Sequence, residues 1–173
     1  MNLVLIGYRG TGKSTVARLL GERLGMAVVS LDQEIVRQAG RSIPDIVAEH
    51  SWPYFRDLES AVTKRCAARD GIIIDAGGGV ILRAENVEHL RRGGMLFWLR
   101  ASVPVIVARI AGGSERPSLT AGKTFTDEVE EVLRTRTPLY EAAAHHQIDT
   151  DRRGPEQVAA EVADLYRRAA APG

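Results

Sequence analysis

Near its start the chain sets a lysine and two hydroxyls behind a run of glycines: Gly7-Tyr8-Arg9-Gly10-Thr11-Gly12-Lys13-Ser14-Thr15. The spacing Gly-x-x-x-x-Gly-Lys-Ser is that of a phosphate-binding loop. Gly7, Gly10 and Gly12 permit backbone angles and close approaches that a Cβ would block, so successive N–H groups can point at phosphate oxygens. A helix starting at the end of the loop adds its positive end. Lys13 has the reach and charge to bridge β- and γ-phosphates, and the Ser14 hydroxyl can ligate Mg²⁺. Gly10, Thr11, Gly12, Lys13, Ser14 and Thr15 are therefore the expected contacts to a nucleotide such as ATP.

Other residues carry chemistry by type and place. The run Gly71 to Gly79, GIIIDAGGG, is a buried strand ending in Asp75. Its carboxylate reads as a Walker B group that reaches Mg²⁺ or its waters beside the phosphate loop. Three successive glycines cost folding entropy, so Gly77, Gly78 and Gly79 are expected to contact a ligand. Asp32 follows the second strand, where open α/β sheets place their ligands. It can accept or orient a substrate hydroxyl proton, or simply cap the helix that follows. Arg56 stands near the start of a helix and could equally serve a solvated face. Arg116 falls in AGGSERPSLTAGKT, residues 111–124, whose glycines and small polar residues suggest a mobile lid.

These groups need a scaffold. Asn2 to Ile6, Ala27 to Val29, Gly71 to Ile74, Met95 to Leu99 and His146 to Ile148 read as strands, and helical patterns alternate with them. This rhythm predicts a parallel α/β sheet. Helices are expected near Asp32–Gln38, Pro44–Glu49, Pro53–Arg69, Ala84–Arg92 and Val103–Ile110. Thr126 with Asp127 should open another, to about Arg134, and Pro155 the last, to Arg168. Ser42 and Ser51 are plausible N-caps, with Pro44 and Pro53 in first-turn positions.

The totals bound the rest. One domain is expected from 173 residues of which 45% are hydrophobic. A net charge of +1, with acids and bases interspersed, gives no footprint for nucleic acid or an anionic membrane. Cys66 is the one cysteine, so no internal disulfide can form, and a reducing cytoplasm is the simple reading. The first apolar run is too short for a signal or a membrane span. His50, His89, His145 and His146 lack the spacing of a metal site.

Taken together, GYRGTGKST, Asp32 before GRSIPDI, FRDLE, the glycine triplet, Arg116-Pro117 and Arg136 in RTPLY resemble, in order and spacing, the shikimate kinases. These are phosphate-loop small-molecule kinases related to nucleoside monophosphate kinases. The likeness spans nearly the whole chain. It implies a three-layer α/β sandwich whose five-stranded parallel sheet has the order 2-3-1-4-5, with a phosphate loop at 7–15, a substrate-binding region at about 31–60 and a mobile lid at about 111–124. The implied reaction moves the γ-phosphoryl group of ATP, with Mg²⁺, to the 3-hydroxyl of shikimate, a step of chorismate biosynthesis. A cytoplasmic monomer is expected.

The resemblance also implies roles. Asp32 matches the base that binds the substrate hydroxyls, and Arg56 and Arg136 match the pair that grips the carboxylate. Gly78, within Gly77 to Gly79, matches a backbone contact to shikimate. Lys13 and Arg116 match the cations around the transferring group, and Arg109, Arg153 and Pro155 match the flanks of the adenine. Phe55 and Trp52 would wall the acceptor site or pack in the core. Two departures stand out. The family usually has Asp-x-Asp after the second strand, where this chain has Ser30-Leu31-Asp32, and Asp75 is expected to take the metal role vacated at Ser30. Ser118-Leu119 follow Arg116-Pro117 where two leucines are usual. The competing readings are a kinase of another hydroxy acid, gluconate for example, and a non-catalytic nucleotide-binding regulatory domain. A GTPase is disfavoured because no Asn-Lys-x-Asp segment occurs.

Overall fold

The computed structural model describes residues 1–111 and 124–171. Five strands, β1 (Asn2–Ile6), β2 (Ala27–Ser30), β3 (Ile72–Asp75), β4 (Gly94–Arg100) and β5 (His146–Asp149), form one sheet. Its order is β2-β3-β1-β4-β5, with every pairing parallel, as expected. The central strands β1 and β3 are buried throughout, which is why they read as near-continuous apolar runs.

Helices cover both faces. Val4, Ile6, Ile72, Ile74, Leu96 and Trp98 point to one face. There they meet α2 (Leu31–Ala39), α3 (Ile43–His50), α4 (Trp52–Ala67), α5 (Ala84–Gly93) and the end of α7 (Phe125–Ala143). Leu3, Leu5, Ile73, Phe97 and Leu99 point to the other face, against α1 (Lys13–Leu24) and α8 (Pro155–Ala170). This alternation follows from the period of two along a strand. A third, smaller cluster joins Tyr8 of the phosphate loop to Ile106 of α6 (Val103–Ala111) and Val129 of α7.

Register fixes what stands side by side at the carboxyl edge. Leu5 of β1 pairs with Asp75 of β3, and Asp75 pairs with Ser30 of β2. The strand that launches the phosphate loop therefore stands next to Asp75, and Asp75 next to Ser30.

Two local expectations change. Asp32 is not the cap of α2; Ser30 is, its hydroxyl accepting the Gln33 N–H at 3.4 Å. Asp32 sits two residues further on, in the first turn of α2, and takes no part in that cap. α7, expected to end near Arg134, runs on to Ala143 through Pro138. A proline inside a helix removes one N–H bond and crowds the preceding turn, at a cost of ~3 kcal/mol. The far end is held regardless: Tyr140 and Ala143 are buried, and the Tyr140 ring stacks on Trp98 with centroids 5.6 Å apart. The start of α7 is a capping box, in which Thr124 and Asp127 exchange backbone-to-side-chain bonds of 3.2 and 3.0 Å. Ser42 caps α3 by accepting from the Asp45 N–H, whereas Ser51 holds the cap position of α4 without a side-chain bond.

Candidate active site

Between β1 and α1 the loop turns through left-handed angles at Gly10 and Gly12, with φ of +80° and +92°, conformations only glycine adopts freely. Lys13 folds back over the loop, where its Nζ donates to the Tyr8 carbonyl at 3.1 Å. Burial pulls its pKa below the usual lysine range, and the charges of Asp75 and Asp32 oppose that pull. Thr11 donates to the same carbonyl at 2.7 Å. The Ser14 hydroxyl donates to Asp75 Oδ2 at 2.6 Å, so the two proposed magnesium-side oxygens already touch. Asp75 is only 7% exposed.

Asp32 faces the same space. Burial is the first cause raising its pKa and the Asp75 charge the second, with Lys13 and Arg56 acting the other way. The glycine triplet explains how so much fits. A Cβ at Gly77 would lie 2.7 Å from Asp32 Oδ1, and one at Gly79 would lie 2.6 Å from the guanidinium carbon of Arg56. The carbonyl of Gly78 accepts from Arg136 Nη1 at 3.1 Å and from the Tyr140 hydroxyl at 2.5 Å. Gly77 and Gly79 are thus needed at least as much by the side chains crossing them as by any ligand, whereas a Cβ at Gly78 would meet only ordinary contacts at 3.5–3.6 Å.

Arg56 is held by Glu59, one turn on, whose Oε2 accepts from Nη1 at 2.7 Å. Glu59 is 2% exposed, and burial raises its pKa while Arg56 lowers it. The Arg56 guanidinium also stands 5.1 Å from the Phe55 ring centre and 5.4 Å from that of Trp52. Of these two rings Phe55 belongs to the core, whereas Trp52 is 57% exposed.

On the other flank, Arg109 of α6 donates to the Gly10 carbonyl at 3.2 Å and to both oxygens of Thr150 at 3.1 and 3.0 Å. It ties the phosphate loop to the segment after β5, where Arg153 and Pro155 stand. Arg153 donates to the Asp149 carbonyl and pairs with Glu161, while Pro155 opens α8. Arg116 and residues 112–123 of the expected lid lie outside the described residues.

A cleft of about 310 Å³ has Arg9, Lys13, Ser14, Asp32, Asp75 and Gly78 on its walls. A more open hollow of about 500 Å³ beside Arg41, Asp45 and Glu49 contains none of them. Three participants escape a reading by motif. Glu59 is signalled only by its i+3 spacing from Arg56, and Tyr140 by its i+4 spacing from Arg136. Arg9 stands at a variable position of the loop, next to Gly10, and its guanidinium lies 5.7 Å from the ring centres of Tyr8 and Phe125.

A phosphate loop on a parallel sheet of this order, with a hydroxyl–carboxylate pair beneath it and a second group of arginines and an aspartate facing it, defines a phosphate-loop small-molecule kinase. The shikimate kinase family model matches residues 9–167. A shikimate kinase of Nitratidesulfovibrio vulgaris is 45% identical over 164 residues, covering 93% of this chain and 91% of that one. One from Symbiobacterium thermophilum is 42% identical, covering 94% of each. The solved shikimate kinase of Acinetobacter baumannii in complex with shikimate superposes with a TM-score of 0.90 at 30% identity, over 99% of this chain and 95% of its own. The chain belongs to the shikimate kinase family, and it is an ATP-dependent kinase.

Proposed function

We propose that this enzyme transfers the γ-phosphoryl group of ATP to the 3-hydroxyl of shikimate, with the nucleotide phosphates on residues 10–15 and the acceptor between Asp32, Arg56, Gly78 and Arg136. The observation that carries the reading is the shared cleft, in which Lys13 and Asp32 stand close enough for their charges to act on one another, with the Gly78 loop alongside.

In this reading Lys13 exchanges the Tyr8 carbonyl for phosphate oxygens, a stronger, charge-assisted partner. Asp32 accepts the hydroxyl proton, and the raised pKa that burial gives it makes it a better proton acceptor than an exposed aspartate. Arg56 and Arg136 present planar forks to a carboxylate, with Glu59 fixing the first while the second exchanges the Gly78 carbonyl for the anion. Arg109 and the 149–155 segment flank the base of the nucleotide.

The donor chemistry also fits magnesium. A hydroxyl and a carboxylate, already in contact, are hard oxygen groups of the kind that hold Mg²⁺ through few protein ligands and several waters. Ser14 would hold the ion and Asp75 its waters, in place of a carboxylate at Ser30. Bound there, the ion would neutralise charge developing between the phosphates. The reading includes a cytoplasmic enzyme acting as a monomer.

The test is a coupled ADP-release assay across a panel of hydroxy acids. Shikimate is expected to drive turnover at micromolar to millimolar concentrations, the ordinary range of a Michaelis constant. Equal or faster turnover with gluconate would overturn the assignment of the acceptor.

A further inference from the structure

The backbone of the glycine triplet has an uneven hydrogen-bond account. All three of its carbonyls are spent inside the protein. Gly77 O accepts from the Val80 N–H at 3.2 Å and Gly79 O from the Leu82 N–H at 3.0 Å, while Gly78 O accepts from both Arg136 and Tyr140. The N–H groups of Gly77, Gly78 and Gly79 donate to no acceptor among the described residues. Buried or cleft-lining donors without partners are uncommon, so this edge is prepared for acceptor atoms supplied from the cleft.

Arg136 and Tyr140 lie one helical turn apart on α7 and share one carbonyl. They differ in freedom. Arg136 has a long side chain and is assigned to a substrate carboxylate. Tyr140 is fully buried, its ring stacked at 20° on Trp98 and its hydroxyl donating to the Gly78 carbonyl. When Arg136 turns to an anion, the carbonyl loses one donor, and only the Tyr140 hydroxyl remains to prevent the 78–79 peptide from rotating. A three-glycine segment has no side chains of its own to resist that rotation.

We propose that Tyr140 is a positioning residue for the acceptor: its hydroxyl holds the Gly78 carbonyl, keeps the loop's N–H groups turned to the substrate, and releases Arg136 to bind the carboxylate. The inference rests on the assignment of Arg136 and Gly78 to the acceptor.

Tyr140→Phe keeps the ring and removes only the hydroxyl. Steady-state kinetics should show a shikimate KM raised roughly five- to tenfold, the size of one buried hydrogen bond. The ATP KM should be unchanged, and kcat should fall less than threefold. ADP affinity measured by calorimetry reports that the variant is folded. Arg136→Met alone should raise the shikimate KM more, and the double variant should fall short of the product of the two, because both act on one carbonyl. An unchanged shikimate KM in Tyr140→Phe overturns the inference, as does a parallel loss of ATP affinity and kcat, the mark of a merely structural role. An unchanged shikimate KM in Arg136→Met overturns the assignment of the acceptor site instead. If the Phe variant does not accumulate, enzyme labelled with 3-fluorotyrosine, a stronger donor, should show a lower shikimate KM, and no change there also refutes the proposal.

Discussion

Replacing Asp75 with serine takes two things from the phosphate loop at once: the acceptor of the Ser14 hydroxyl, 2.6 Å away, and a negative charge facing Lys13. The hydrogen bond is to a charged group that is 7% exposed, so solvent does not replace it easily. Bonds of that kind are worth about 1.5–3 kcal/mol, which corresponds to a loss of roughly ten- to a hundredfold in an affinity that depends on it. The quantity to measure is the Mg²⁺ concentration for half-maximal shikimate-dependent ADP release, together with the magnesium-dependent part of ADP affinity by calorimetry. Both should move by that factor. Register supplies the control. Ser30 is the paired neighbour of Asp75 across β2 and β3, strands ~4.8 Å apart, and aspartate caps a helix as well as serine does. Ser30→Asp combined with Asp75→Ser moves the carboxylate one strand over and should recover most of the loss. Ser30→Asp alone crowds three carboxylates at one edge and should weaken turnover without magnesium excess. An Asp75→Ser enzyme with an unchanged magnesium requirement, or a double variant no better than the single one, refutes the reasoning.

Three further outcomes are expected. Asp32→Asn keeps the shape but cannot accept a proton, so kcat should fall by roughly 10²–10⁴, measured by ADP release at saturating substrates. Glu59→Ala leaves the largely buried Arg56 guanidinium without its ion-pair partner; it should raise the shikimate KM and cost about 3 kcal/mol in a urea melt. His145 accepts the Leu96 N–H at 2.9 Å, which requires a neutral ring, and burial, then the charges of Arg91 and His146, lower its pKa below 6.5. The unfolded chain therefore takes up a proton first on acidification. The His145 contribution should be complete above about pH 6.5 and lost as pH falls through the folded value, a decline in Tm that His145→Asn removes.

How much of this was legible in advance differs from element to element. The parallel sheet and the phosphate loop were readable because β1 and β3 are buried on both faces and the loop's glycines have a narrow conformational purpose, whereas the strand order came with the family resemblance. Asp32, Arg56, Gly78 and Arg136 were located by motif, and the structure gathers them around one loop. The length of α7 was not readable. Pro138 is a strong local stop, and only the distant burial of Tyr140 against Trp98 overrides it. Glu59 looked like one more charge in FRDLE, since its burial is a property of how α4 packs and of nothing in its neighbours. The alternative of Asp32 as the helix cap stayed open because two good capping residues stand two positions apart, and the end of β2 gives the cap to Ser30. For the glycine triplet the sequence pointed to a ligand, whereas the coordinates add Asp32 and Arg56 as the atoms that forbid a Cβ.

α7 has a mechanical meaning. Its 19 residues make a rod about 28 Å long. Near one end Phe125 and Val129 pack in the cluster with Tyr8 of the phosphate loop, and near the other Arg136 and Tyr140 grip the glycine loop. One helix therefore packs against the phosphate loop near its start and bonds to the glycine loop near its end. The two half-sites share one support, so the spacing between Tyr8 and Gly78 is set by a single element. Pro138 lies within that element, between the two residues that hold the glycine loop.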